Sequence, residues 1–290
     1  MIILYLFVIT GAFVGISLLC IYVTIYNQYM TSHPRTHIMY LFLCIAALFG
    51  MGSKAGPELQ TLISDKGKTP SSYIVEKAIS HRLILLGTRH DSRLANSLIS
   101  EILTGLAKQA GVNALFVEIP SSQQNAIDRF SQGDGQVQDI KMPGIIASQE
   151  YLKILATAKD LGMHIIAIDT DNSAHGSRDE WMASCISEYL DKHPGFKGLV
   201  VVGNCHVYKN VGWAHEGCQT LAEKLLSLKP FCIIMWPGAL EKGAPVALDI
   251  EHQAFLGLKD PTLMCMNVLP DTCLSTTADG VILLGNDRAL

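Results

Sequence analysis

Five short apolar runs, spaced along the chain and separated by amphipathic stretches, constrain the fold more than any other feature of the sequence. The runs are residues 83–86, 114–117, 165–168, 199–202 and 231–236. They are rich in valine, isoleucine and leucine and lack polar alternation, as strands covered on both faces require. The amphipathic stretches are residues 92–110, 123–130, 149–161, 178–190 and 219–228. Strand and helix patterns in alternation predict an α/β fold, with a mainly parallel central sheet and helices on both faces. Residues 281–284 are expected to add an edge strand. Two segments, 131–146 and 237–261, fit neither pattern and read as long loops.

The N-terminus is of another kind. Between Met1 and Lys54 the only formally charged side chain is Arg35. An apolar core runs over residues 2–26, and at ~1.5 Å per residue such a helix exceeds the ~30 Å hydrocarbon layer. A second apolar segment, 38–52, reaches only ~22 Å. Two readings stay open. One is a helical hairpin turning through residues 27–36. The other starts the chain at Met30, with Arg35 in a signal-peptide n-region and Ser53-Lys54-Ala55 as a small-x-small cleavage site. The expected organisation is a hydrophobic membrane anchor over 1–52, as one or two helices or a signal-like segment. A linker over 53–72 then leads into a short strand near 73–75, and an α/β domain spans 73–290. Flanking positive charges pull both ways, and the balance is read as an extracytoplasmic catalytic domain on a membrane anchor.

Composition narrows the function. Only 17% of residues are charged and the net charge is −4. No basic stripe with interleaved aromatics is present, so nucleic acid is not an expected partner. Of eight cysteines, Cys20 and Cys44 lie in the apolar N-terminus. The others form no Cys-x-x-Cys pair, which argues against a zinc knuckle; the even count permits disulfides without requiring them.

Chemistry-bearing side chains gather where the strands end. The first run leads into Gly87-Thr88-Arg89-His90-Asp91. The second ends on Glu118, and the third on Asp169 with Asp171 beyond. The fourth leads into Gly203-Asn204-Cys205-His206. In an open parallel sheet the carboxyl ends share one edge, where ligands bind, so His90 and His206 are expected to converge. Each motif has a plain structural reading: a turn glycine before an exposed histidine, or a carboxylate capping a helix or turn. Their joint occurrence favours a site, because burying two histidines and a glutamate at one edge without function costs stability. His164 reads as structural, and His175 and His215 as supporting partners at most.

These motifs carry a resemblance. Gly87-Thr88-Arg89-His90, Glu118, Arg178-Asp179 followed by Met182-Ala183, and Gly203-Asn204-Cys205-His206 come in the order seen in the TraB/Tiki/ChaN/erythromycin-esterase superfamily. The first motif resembles TraB and Tiki proteins. Its continuation into Asp91 and a helix is similar to ChaN proteins, as is the terminal Ala278-Asp279-Gly280 before an apolar run. The similarity spans residues 73–284. It implies one of three activities: metal-dependent peptidase, esterase with a histidine base, or haem and iron handling.

The leading expectation is a hydrolase acting on a peptide or small ester. His90, Glu118 and His206 would be its catalytic or metal-ligating residues, supported by Asp91, Asp169 and Arg178. Two imidazoles and a carboxylate suit Zn²⁺, Mn²⁺ or Co²⁺ and an activated water. Without metal, His90 would be the general base. A variant makes Cys205 the nucleophile. The alternative is a haem- or iron-binding protein with Tyr208 as axial ligand. A third possibility is a degenerate member that serves only as a membrane scaffold.

Overall fold

The computed structural model describes residues 57–285 apart from Ile145, 171–174, 212–218, Lys242, 251–252, Asn267 and 269–270. The expected membrane anchor, with its two alternative starts, lies outside the described residues. Among the described residues no helix is long and apolar enough to cross a membrane.

All five apolar runs are strands. They are β1 (Leu83–Thr88), β2 (Ala114–Pro120), β3 (His164–Asp169), β4 (Gly198–Gly203) and β5 (Phe231–Trp236). Two shorter strands complete the sheet, β6 (Val246–Asp249) and β7 (Gly280–Leu283). The strand order is β3-β2-β4-β1-β5-β7-β6, and only the β6–β7 pairing is antiparallel. Long helices connect the parallel strands: α3 (Arg93–Ala110), α4 (Gln124–Gln132), α5 (Gln149–Asp160) and α6 (His175–Lys192). Short helices α7 (Asn204–Val207) and α8 (Leu221–Lys224) follow β4, and α9 (Pro261–Cys265) and α10 (Leu274–Thr277) precede β7.

The period of two along each strand divides the core in two. Ile84, Leu86, Leu115, Val117 and Val201 face one layer with Ile99, Leu103, Tyr151 and Leu155. Leu83, Leu85, Phe116, Val200 and Val202 face the other with Met182, Ile186 and Leu221. Burial on both faces is why these strands read as unbroken apolar runs. The helix starts are set locally. Ser92 caps α3 by accepting from the Ala95 N–H at 3.2 Å, and Ser148 caps α5 by accepting from Tyr151 N–H at 3.1 Å.

Three expectations are corrected. The linker and short strand are instead two helices, α1 (Pro57–Lys66) and α2 (Pro70–Ser80). Tyr73-Ile74-Val75 is strand-prone, but Thr69 is a helix cap, Pro70 suits the first helical turn, and Tyr73, Ile74 and Ala78 pack inward. The run at 281–284 belongs to β7, which lies inside the sheet, because β6 pairs along its outer side. The stretch 219–228 holds only the single turn of α8 and a 3₁₀ turn.

Candidate active site

Strand register brings the motifs together. Thr88 lies opposite Gly203, and Gly87 opposite Val202, so both Gly-x-x-His turns leave the sheet at one level. Val117 lies opposite Val201, which puts Glu118 beside the end of β4. Pro120 lies opposite Asp169 on the far side of β2. The ends of β3, β2, β4 and β1 thus form one continuous edge.

Glu118 is the centre, only 5% exposed. Its Oε2 accepts the Gly203 backbone N–H at 2.7 Å and lies 3.1 Å from His90 Nε2. Its Oε1 accepts from Arg178 Nη2 and lies 3.7 Å from His206 Nε2. Burial alone would raise the Glu118 pKa. His90, His206 and Arg178 outweigh it and hold the carboxyl well below the usual carboxylate range.

Arg178 enters from the first turns of α6. Its Nε and Nη2 each donate to Asp169 at 2.8 Å, a two-pronged pair that suits the planar guanidinium. The Asp169 bonds, and then the nearby Glu118 charge, keep Arg178 cationic against the cost of burial. The next residue, Asp179, also faces inward. It holds His206 Nδ1 at 2.6 Å. One helix turn therefore supplies the cation between the carboxylates and the carboxylate that orients the second histidine.

His206 is 4% exposed. Burial would depress its pKa, but Cys205, the Asp179 hydrogen bond and Glu118 together lift it well above the ordinary imidazole value. Arg178 Nη1, 3.3 Å from His206 Nε2, opposes the second proton. The carboxylates on either side prevail, because Asp179 bonds the ring directly and Arg178 is already engaged with Asp169 and Glu118.

The motif glycines are there for close approach. A Cβ on Gly87 would meet Asn204 Oδ1 at 2.5 Å, so α7 packs directly against β1. A Cβ on Gly203 would stand 3.2 Å from His90 Nε2, 3.6 Å from His206 Cδ2 and 3.7 Å from Cys205 Sγ. The backbone of Gly203 thus leaves a small space that both histidines and the thiol border.

The structure brings together His90, Glu118, His206, Asp169 and Arg178. Asp91 is not among them. It is exposed and its carboxylate pairs with Arg89 at 3.1 and 2.7 Å. Tyr208 is fully buried and donates to the buried Asp260, so its phenol cannot reach a haem iron. Asp171 and His215 lie outside the described residues, as does the side chain of His175. Among the described residues the cysteines Cys185, Cys205, Cys232, Cys265 and Cys273 are all free.

A divalent metal does not fit this donor set. A shared ion would sit about 2 Å from Glu118 Oε1 and His206 Nε2, both of which already face the Arg178 guanidinium. It would meet a fixed like charge there. Among the described residues no group of three or more His, Cys, Asp or Glu is arranged to hold a metal. The cation that lies between Glu118 and His206 is the Arg178 guanidinium.

Sequence reasoning missed Asp179 as a partner of His206, although the Arg-Asp pair was itself part of the motif.

No family model matches the sequence, and no curated protein matches it. Solved structures do match. An erythromycin esterase, EreC, in a histidine-to-asparagine variant and an open conformation, aligns with a TM-score of 0.60 at 8% identity, over 74% of this chain and 93% of that one. A succinoglycan biosynthesis protein aligns with a TM-score of 0.61 at 11% identity, over 73% and 90%. ChaN of Campylobacter jejuni, which binds haem cofacially, matches with a TM-score of 0.42 at 12% identity, over 73% and 90%, a likeness too slight to argue from. The motif-based resemblance is thus met at the level of the fold: the chain shares the architecture of an erythromycin esterase.

Proposed function

We propose that this chain is a metal-independent hydrolase of an ester or peptide bond, with His90 as general base and His206 as general acid. The observation that carries the reading is the Gly203 space. His90 Nε2 and the ring of His206 both border it, while Glu118 ties the two histidines and Arg178 into one charge-balanced cluster.

A water seated there gives a proton to the His90–Glu118 pair, whose Nε2 and Oε2 stand 3.1 Å apart, as its oxygen attacks the carbonyl carbon. Negative charge developing on the carbonyl oxygen meets the fixed positive charges of Arg178 and His206. The bond to the leaving oxygen or nitrogen then breaks, and that atom takes a proton from His206. Reprotonation of His206 and loss of the proton from the His90–Glu118 pair reset the site. Two histidines of opposite task suit the raised pKa of His206, which keeps an acid in place at neutral pH. The apolar residues 1–52 make this a membrane-anchored enzyme, its catalytic domain facing away from the cytoplasm.

The full chain, purified in detergent, is assayed against a panel of esters and peptides with and without chelator. Hydrolysis that survives chelation and falls at least about a hundredfold in His90→Ala is expected. Activity abolished by chelator and restored by Mn²⁺, Co²⁺ or Zn²⁺ would reject the metal-free scheme. Full activity in both His90→Ala and His206→Ala would reject the site.

A further inference from the structure

The outer edge of the sheet carries a groove. Strand β3 has a neighbour, β2, on one side only. Helices α4 and α6 flank its open side, with Ile127 and Phe130 of α4 packed in one layer and Met182 and Ile186 of α6 in the other. Two hollows of about 370 Å³ each lie along this edge. Asp128, Ser131, Lys159, His164 and Ile165 line the first. Ser121, Ala167, Cys185, Glu188 and Lys192 line the second. Gln124, Ile166 and Tyr189 border both, so the hollows are halves of one groove barred at Gln124.

The bar has the chemistry of a main chain. Gln124 Nε2 donates to the Ile165 carbonyl at 3.0 Å, and its Oε1 accepts the Ala167 N–H at 2.8 Å. One residue of a parallel strand opposite Ile166 would make the same pair of bonds, donating to the residue before and accepting from the residue after. The inner side of β3 follows this rule: His164, opposite Ala114, donates to the Asn113 carbonyl. An antiparallel neighbour would need two separate residues for those bonds. The charges on the rim cancel, Asp128 and Glu188 against Lys159 and Lys192. The groove therefore suits a neutral main chain better than an anion or a cation.

Parallel pairing also fixes a direction. Strand β3 runs towards Asp169, which Arg178 ties into the candidate active site. A strand beside it reaches that edge with its C-terminal end leading. We propose that the substrate is a peptide, docked as an extended strand parallel to β3 in place of the Gln124 amide, and cut on the C-terminal side of the docked segment. From the level of Ile166 the peptide climbs to that of Asp169. Neighbouring strands stand ~4.8 Å apart, so it then crosses ~14 Å, over β3 and β2, to the Gly203 space at the end of β4. At ~3.3 Å per residue the scissile bond falls about seven residues beyond the one opposite Ile166. Cleavage in this inference rests on the proposed hydrolase reading; docking does not.

Docking is read without catalysis. Full-length ¹⁵N-labelled protein in detergent is titrated with a peptide of about ten residues, threonine and valine alternating between terminal lysines. The Ala167 amide and the Gln124 side-chain amide should shift together. In Gln124→Ala nothing has to be displaced, so Kd should fall about tenfold on protein dilute enough to stay monomeric. A nitroxide on the C-terminal end of the peptide should broaden Ser121 more than Gly162. The same peptide N-methylated throughout should not bind. A Gln124→Ala protein that takes up no peptide below about 1 mM, or pairs only with itself, would overturn the proposal. So would binding that survives N-methylation, or a nitroxide that broadens Gly162 the more. Cleavage is read separately, on the substrates of the panel. Lengthening a peptide to about seven residues before the scissile bond should raise kcat/KM at least about tenfold, and lengthening it beyond that bond should not. Hydrolysis of esters alone, or hydrolysis indifferent to N-terminal length, would overturn delivery by this groove. If the peptide docks as stated and nothing is hydrolysed, the hydrolase reading fails and the docking groove stands.

Discussion

Arg178 shows how much one side chain settles here. It satisfies Asp169 through two nitrogens, bonds Glu118, and approaches His206 Nε2. A lysine ammonium brings charge but no planar fork, so it can serve one carboxylate well and not both. Arg178→Lys is expected to lose about 2 kcal/mol of stability in urea unfolding and at least about tenfold in kcat. Wild-type values of both would remove Arg178 from its central place. Gly203→Ala makes a different prediction from the same cluster. Its φ of −61° suits any residue, so backbone strain is absent and the fold should hold. The added methyl would stand 3.2 Å from His90 Nε2 in the space the attacking water needs. Activity should fall at least about tenfold with melting near wild type; an active Gly203→Ala would move the reaction elsewhere. At this scale the sequence was half legible. Two Gly-x-x-His turns and a strand-end glutamate declare themselves, because glycine and histidine after an apolar run are scarce. Asp91 misled, since adjacency to His90 in sequence turned its carboxylate toward Arg89 and solvent.

Elements were legible where burial on both faces leaves a continuous apolar run, as in β1 through β5. They were not where tertiary contact decides. Strand β6 is four residues with Asp249 at its end, and it exists because β7 offers it a partner. Helix α2 contains three strand-prone residues, yet Thr69 and Pro70 open it and its packing keeps it. The outer strand β3 shows a device no pattern reveals. Gln124 donates from Nε2 to the Ile165 carbonyl at 3.0 Å and accepts the Ala167 N–H on Oε1 at 2.8 Å. One side-chain amide thus imitates a neighbouring strand and blunts the open edge. Gln124→Ala should cost about 1 kcal/mol and give self-association that grows with concentration in size-exclusion chromatography. A variant as stable and monodisperse as wild type would reduce this amide to an incidental contact.

For the whole molecule, the buried cluster ties folding to pH. In the folded state Glu118 titrates below its ordinary value of 4.5, because His90, His206 and Arg178 together overcome the opposing effect of burial. Unfolded chains therefore bind the extra proton first, and the stability that Glu118 contributes is complete above that ordinary value and lost as pH falls beneath it. His206 runs the other way. Its folded pKa lies well above 6.5, where Cys205, Asp179 and Glu118 prevail over burial. Its contribution is complete below 6.5 and fades as pH rises through the folded value. The two limbs leave a plateau between about 4.5 and 6.5 in which both charges are kept. Melting temperature followed by circular dichroism should be highest there and fall on both sides. Glu118→Gln will melt lower throughout, since it leaves Arg178 short of a carboxylate, so the shape of the curve is what matters. That variant should lose much of the acid limb and part of the alkaline one, because His206 would no longer have Glu118 beside it. A wild-type profile flat from pH 4 to 8, or an acid limb unchanged in Glu118→Gln, would show that this cluster does not govern the stability of the domain.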